Sequence, residues 1–163
     1  AGEAAAHEAA REHRKEAYTM ALYVAICLLA ALTAVGEHVE DVAVFEIIWG
    51  TTLGLALTHW FAFSVSARLV AAGAIRRHDA EAAIAQLTGA LAVAALATVP
   101  VLLLPASSEL GVVRLLLAGL IAAVGYAVAR AGAAARGRAV VYALGVMLVA
   151  MSVAVVKNVL AGH

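Results

Sequence analysis

Long apolar runs separated by short polar connections constrain the fold of this chain more than any other feature. The runs cover residues 17–36, 42–70, 82–104, 110–129 and 139–161. A helix needs about 20 apolar residues to cross roughly 30 Å of hydrocarbon, and every run reaches that length. The second exceeds it, which predicts tilt or an extension beyond the lipid. Segments such as VAICLLAALTAV and LAVAALATVPVLLL do not alternate polar and apolar residues. They predict helices rather than barrel strands, and only those two structures satisfy the backbone in lipid. Composition then decides the solvent. Hydrophobic residues make up 65% of the chain and charged residues 13%, against about a quarter charged in soluble domains. A small protein has too much surface for its volume to hide that many apolar side chains from water. The expected fold class is all-α, an integral membrane bundle of five transmembrane helices at residues 17–163. Residues 1–16 form a cytoplasmic tail, helical or disordered.

Charge predicts direction. Arg11, Arg14, Lys15, Arg68, Arg76, Arg77, Arg130, Arg136 and Arg138 fall on one side of this layout, and only Arg114 and Lys157 on the other. By the positive-inside tendency the nine lie in the cytoplasm. The N-terminus is then inside and the C-terminus outside. The connections GEHVED and PASSE, which have no Lys or Arg, face outward. Asp79 and Glu81 suit the start of the third helix, where carboxylates complement the helix dipole. Pro105, Ser107 and Ser108 suit a turn into the fourth. Pro100 lies inside the third run and predicts a kink. The first run follows a mixed-charge tail and is longer than the core of a cleavable signal.

Several function classes drop out. Net charge is zero, and no basic module or stacking platform points to nucleic acid. Cys27 is the single cysteine, so neither an intrachain disulfide nor a CxxC pair can form. There is no GxSxG, HExxH or P-loop, and no second deep histidine for a di-histidine haem. No enzymatic activity, metal or cofactor is expected.

Polar residues within apolar spans are the default candidates for function, because burying them in lipid is costly. His59 is the foremost, 13 residues after Glu46 and nine before Arg68. Thr52, His59 and Ser66 recur every seven residues and share one face of the second helix. An imidazole is the side chain whose charge ordinarily changes between about pH 5 and 8, which suits a gate or a proton relay. The alternative is a neutral histidine hydrogen-bonded within the bundle. Glu46 opens the second helix after Glu37 and Asp41. Arg114 and Lys157 share its leaflet, so an ion pair of Glu46 with either is expected. Snorkelling of the two cations to the headgroups is the other possibility. Trp49, Tyr18 and Tyr142 suit interfacial positions, whereas Trp60 is expected to pack inside. Small residues at four-residue spacing (Ala21 and Ala25, Ala118 and Ala122, Ala150 and Ala154) suit close helix packing, with Gly111, Gly119 and Gly125 on the fourth helix.

The segments LTHWFAFSVSARL, ARAGAAARGR and VAVVKNVLAGH resemble those of a group of small polytopic membrane proteins of actinobacteria. Members carry a similar LAHxYA-like stretch in the second span and a terminal apolar run containing lysine. Here Trp60-Phe61 replaces the commoner aliphatic–aromatic pair. The resemblance implies a bacterial inner membrane and directs attention to Thr58, His59, Arg130 and Lys157. Two functions are expected from the sequence. One is a small homo-oligomeric channel or proton-linked conduit using His59, Thr52, Ser66 and Glu46. The other is a non-catalytic accessory or scaffolding subunit of a larger membrane complex. The expected partners are the lipid bilayer and either further copies or a membrane-complex subunit.

Overall fold

A computed structural model describes residues 2–35, 41–70 and 77–160. Within them lie five helices, α1 (Gly2–Ala34), α2 (Asp41–Val70), α3 (Arg77–Leu103), α4 (Ala106–Ala131) and α5 (Arg136–Leu160), and no strand. α1 runs without a break from the polar tail into the first apolar run. α3 continues past Pro100, whose carbonyl accepts from the Leu104 amide at 2.9 Å. α4 begins after an extended Pro105, and the Ser108 hydroxyl donates back to the Pro105 carbonyl at 3.2 Å.

Four stretches of helix are long and apolar enough to cross a membrane: Ala10–Ala34, Ala80–Leu103, Ser107–Ala131 and Arg136–Val153. The last is the shortest, at 18 residues, and the least apolar. Length and composition therefore make this a multi-pass membrane protein. α2, although 30 residues long, is not among the four. Among the described residues, four of the five expected spans are thus met.

Side-chain pairings give the directions of the helices. His13 and Glu16 of α1 meet Glu81 and Gln86 of α3 in the same order along the chain, so these two helices run parallel. Trp49 of α2 meets Thr98 of α3, while Trp60 shares a cleft with Ala80, so α2 and α3 run antiparallel. Arg114 near the start of α4 meets the end of α1, so these two are antiparallel as well.

α1 is the hub and contacts each of the other four helices. Its residues Val24, Ala25, Leu28 and Leu32 are fully buried, in a core shared with Ile48, Ala94, Ala97, Leu117 and Ile121. In lipid no hydrophobic drive holds helices together, so close approach through small residues must contribute. The tightest approach is between α1 and α3, where a Cβ placed on Gly89 would fall on the Ala17 carbonyl group. A second lies between α4 and α5, where a Cβ on Gly125 would come within 3.2 Å of the Ala143 Cα. Ala25 and Ala150 are also buried, whereas Gly111 and Gly119 are exposed.

Candidate functional site

α2 changes character along its length. Its inward stripe begins with Val44, Ile48, Thr52 and Ala56, all buried. The same stripe continues at helical spacing through His59, Phe63 and Ser66. There His59 and Ser66 are exposed and Phe63 is half-buried. The three residues expected on one face therefore do share it, but only Thr52 is covered. Below Ala56 the inward side of α2 loses its cover, and a cleft of about 330 Å³ opens against α3 and α1.

The cleft is walled by Met20 of α1, Leu53, Leu57 and Trp60 of α2, and Ile84 and Leu87 of α3. Among the described residues two polar side chains reach it, His59 and Gln86. The Gln86 Nε2 donates to Glu16 Oε2 at 2.7 Å, which ties α3 to α1 behind the cleft. Nearby on the same pair of helices, His13 Nε2 stands 3.5 Å from Glu81 Oε2. The His59 ring makes no hydrogen bond among the described residues. The cleft extends up α2 to Leu53, the residue after Thr52. The Thr52 hydroxyl is wholly buried and also lacks a partner among the described residues. An uncompensated buried hydroxyl costs roughly 1–3 kcal/mol, so Thr52 marks a position where the helix retains polarity against its own stability. Above it the stripe is buried at Ile48 and Val44.

The opposite ends of α1 and α3 hold a separate polar group. Arg114 donates from Nε and Nη2 to the Leu32 carbonyl, at 3.1 and 2.6 Å, and from Nη2 to the Val35 carbonyl at 2.8 Å. The last carbonyls of a helix have no intrahelical partner, and a cation there also complements the dipole. Arg114 thus caps α1 from α4. It does not pair with Glu46, which is exposed on another side of α2. The ion pair expected between them is absent among the described residues, because the guanidinium is taken up by the carbonyls. Glu37 lies outside the described residues, as do the side chains of Asp41 and Lys157.

Some functional residues escaped sequence reasoning. Glu109, assigned to an outward-facing connection, is fully buried in the first turn of α4. Its place directly before an apolar run was the available signal, since a carboxylate in a first turn is stabilised by the dipole. Trp49 is a hydrogen-bonding residue and not only an anchor: its Nε1 donates to Thr98 Oγ1 at 3.1 Å, and that hydroxyl donates in turn to the Ala94 carbonyl. Trp60, expected to pack inside, is exposed and forms one wall of the cleft. Gln86 belongs to the cleft only through the way α3 lies against α2, which no local pattern encodes. No family model, curated protein or solved structure matches the chain.

Proposed function

We propose that this protein is a small homo-oligomeric conduit of the bacterial inner membrane for protons or small ions, with His59 in its path. The observation that carries the reading is the single polar track Thr52–His59–Ser66, open below Ala56 and sealed above it. In this reading α2 completes a five-span layout with the N-terminus inside and the C-terminus outside. Support comes from the nine-to-two bias of Lys and Arg between the two sides. The open end of the track then faces the cytoplasm. Five helices make a thin wall, so the pathway is completed by a second copy set against α2. His59 lies in this path and gates it. Glu46 stands at the outer side of the same helix and attracts cations to the mouth.

The test is flux through the protein reconstituted in liposomes, measured between pH 5 and 8. His59→Ala removes most of the pH-dependent flux, and Thr52→Val and Ser66→Ala reduce it. Equal flux from wild type and His59→Ala takes His59 out of the mechanism.

A second reading draws on the other face of α2. Gly50, Gly54, Thr58 and Ala62 follow one another at four-residue spacing and are all exposed. A Cβ on Gly50 or Gly54 would meet nothing within 4 Å. Such a stripe lets another helix approach closely, and the neighbour is either another copy, as in the conduit, or a different subunit. Extraction in mild detergent followed by native mass spectrometry separates the two. A stable partner of different sequence favours the accessory-subunit reading.

A further inference from the structure

The cleft between α2 and α3 has a second property, independent of any flux. Among the described residues its walls are almost wholly aliphatic and aromatic, yet two polar side chains face it, and both keep unused hydrogen-bonding capacity. Gln86 commits its amide nitrogen to Glu16, while its Oε1 has no partner among the described residues. The His59 ring has none for either nitrogen, and an imidazole can donate from one and accept at the other. Ordinary acyl chains filling this space would leave both groups unpaired in a medium without water, which is costly.

We propose that the cleft binds a single-chain amphiphile with an uncharged hydroxyl headgroup, the chemical class of monoacylglycerols and long-chain alcohols. Three features select this class. The volume of about 330 Å³ lies at the small end of ligand sites, which span roughly 300–1,000 Å³, and suits one chain rather than two. A hydroxyl both donates and accepts, so it can satisfy the Gln86 Oε1 and the His59 ring together. The Glu16 carboxylate, 2.7 Å away, takes up the Gln86 amide nitrogen and leaves Oε1 in need of a donor, which an ionised carboxylate or phosphate diester headgroup does not supply. The chain then lies along Leu53, Leu57, Ile84 and Leu87.

The test uses the full chain in phosphatidylcholine nanodiscs with three probes carrying the same chain diazirine: a monoacylglycerol, the corresponding fatty acid and a diacyl phosphatidylcholine. Photolysis and peptide mass spectrometry locate the adducts. The expected result is saturable labelling of α2 53–60 and α3 80–87 by the monoacylglycerol, at least about fivefold above the other two and competed by unlabelled monoacylglycerol. Ile84→Trp and Leu57→Trp both add bulk at exposed wall positions. Each removes the labelling while leaving the helical circular dichroism and the melting temperature in place. His59→Leu weakens competition about fivefold, the loss of one neutral hydrogen bond. Equal labelling by all three probes identifies bulk lipid at the protein surface and overturns the proposal, as does labelling that persists in both tryptophan variants. Liposome flux is a separate readout, so a failed conduit leaves this site standing, and a failed site leaves the conduit standing.

Discussion

The crossing of α1 and α3 offers a graded test of the packing. Gly89→Ala places a methyl group on the Ala17 carbonyl, with the carbonyl carbon only 2.9 Å away. Real Cβ atoms do not tolerate that approach, and the obstacle is backbone rather than a side chain that could rotate aside. Overpacking of this kind costs roughly 1–3 kcal/mol. The same substitution at Gly119 meets nothing within 4 Å. Both variants gain the same helix preference of alanine over glycine, about 1 kcal/mol, so it cancels when they are compared. Gly89→Ala should therefore be about 1–3 kcal/mol less stable than Gly119→Ala. Gly125→Ala should fall between them, because its new methyl would press on the Ala143 Cα and the Val146 Cβ at 3.2 Å, and Val146 can yield slightly. Unfolding in mixed micelles of rising dodecyl sulfate fraction, followed by circular dichroism, reads the order. Ala17→Gly is a further control: the obstacle at Gly89 is the Ala17 carbonyl and not its methyl, so trimming that methyl rescues nothing. A Gly89→Ala protein as stable as Gly119→Ala, or rescue by Ala17→Gly, would show that the helices do not cross in this way.

Other substitutions test separate features. Arg114→Leu strips the cap from α1 and costs about 2 kcal/mol, the range of hydrogen bonds to charged groups; hydrogen exchange at residues 29–35 should rise, and Arg114→Lys should restore part of the protection. Thr52→Val removes a buried hydroxyl without a partner and keeps the shape, so stability should rise by about 1 kcal/mol in micelle unfolding, while conduit flux falls. Ala133 holds a left-handed φ of 58°, a conformation that costs a residue with a Cβ roughly 1–2 kcal/mol. Ala133→Gly should therefore raise the melting temperature, and a lower one would remove the strain argument.

Much of the architecture was legible because it depends on local composition. Apolar length placed every helix, and the breaks fell where Pro105 and the Arg-bearing connection at residues 130–138 interrupt the runs. Seven-residue spacing put Thr52, His59 and Ser66 on one face, as the helix geometry requires. What spacing could not convey was cover. A face is buried only where another helix lies against it, and the exposure of His59 and Ser66 is a tertiary fact. The fate of Arg114 was hidden for the same reason. In sequence its natural partners are carboxylates, and Glu46 looked available. In three dimensions the closest acceptors are the orphan carbonyls of α1, from a segment about 80 residues earlier in the chain. Gln86 and Glu16 are unremarkable in isolation and meet only because α1 and α3 run parallel.

The distribution of polarity supports placing function on α2. Lipid tolerates polar side chains where they are packed, paired or wet. Elsewhere in the protein those conditions hold: Thr98 is bonded to Trp49 and to Ala94, Thr33 returns to the carbonyls of Leu29 and Ala30, and Arg114 is spent on α1. α2 is different. Thr52 is packed but unpaired among the described residues, and His59 is neither packed nor paired there. A helix that keeps polar groups uncompensated along one stripe gains nothing in stability from them. They must meet something outside the single chain, whether water, a ligand headgroup or a second copy. Replacing Thr52, His59 and Ser66 together with Val, Leu and Ala separates this from a packing role. The triple variant should insert and fold at least as stably as wild type, while losing flux and weakening amphiphile labelling no further than His59→Leu alone. A triple variant that unfolds in mild detergent would make the stripe a structural element after all.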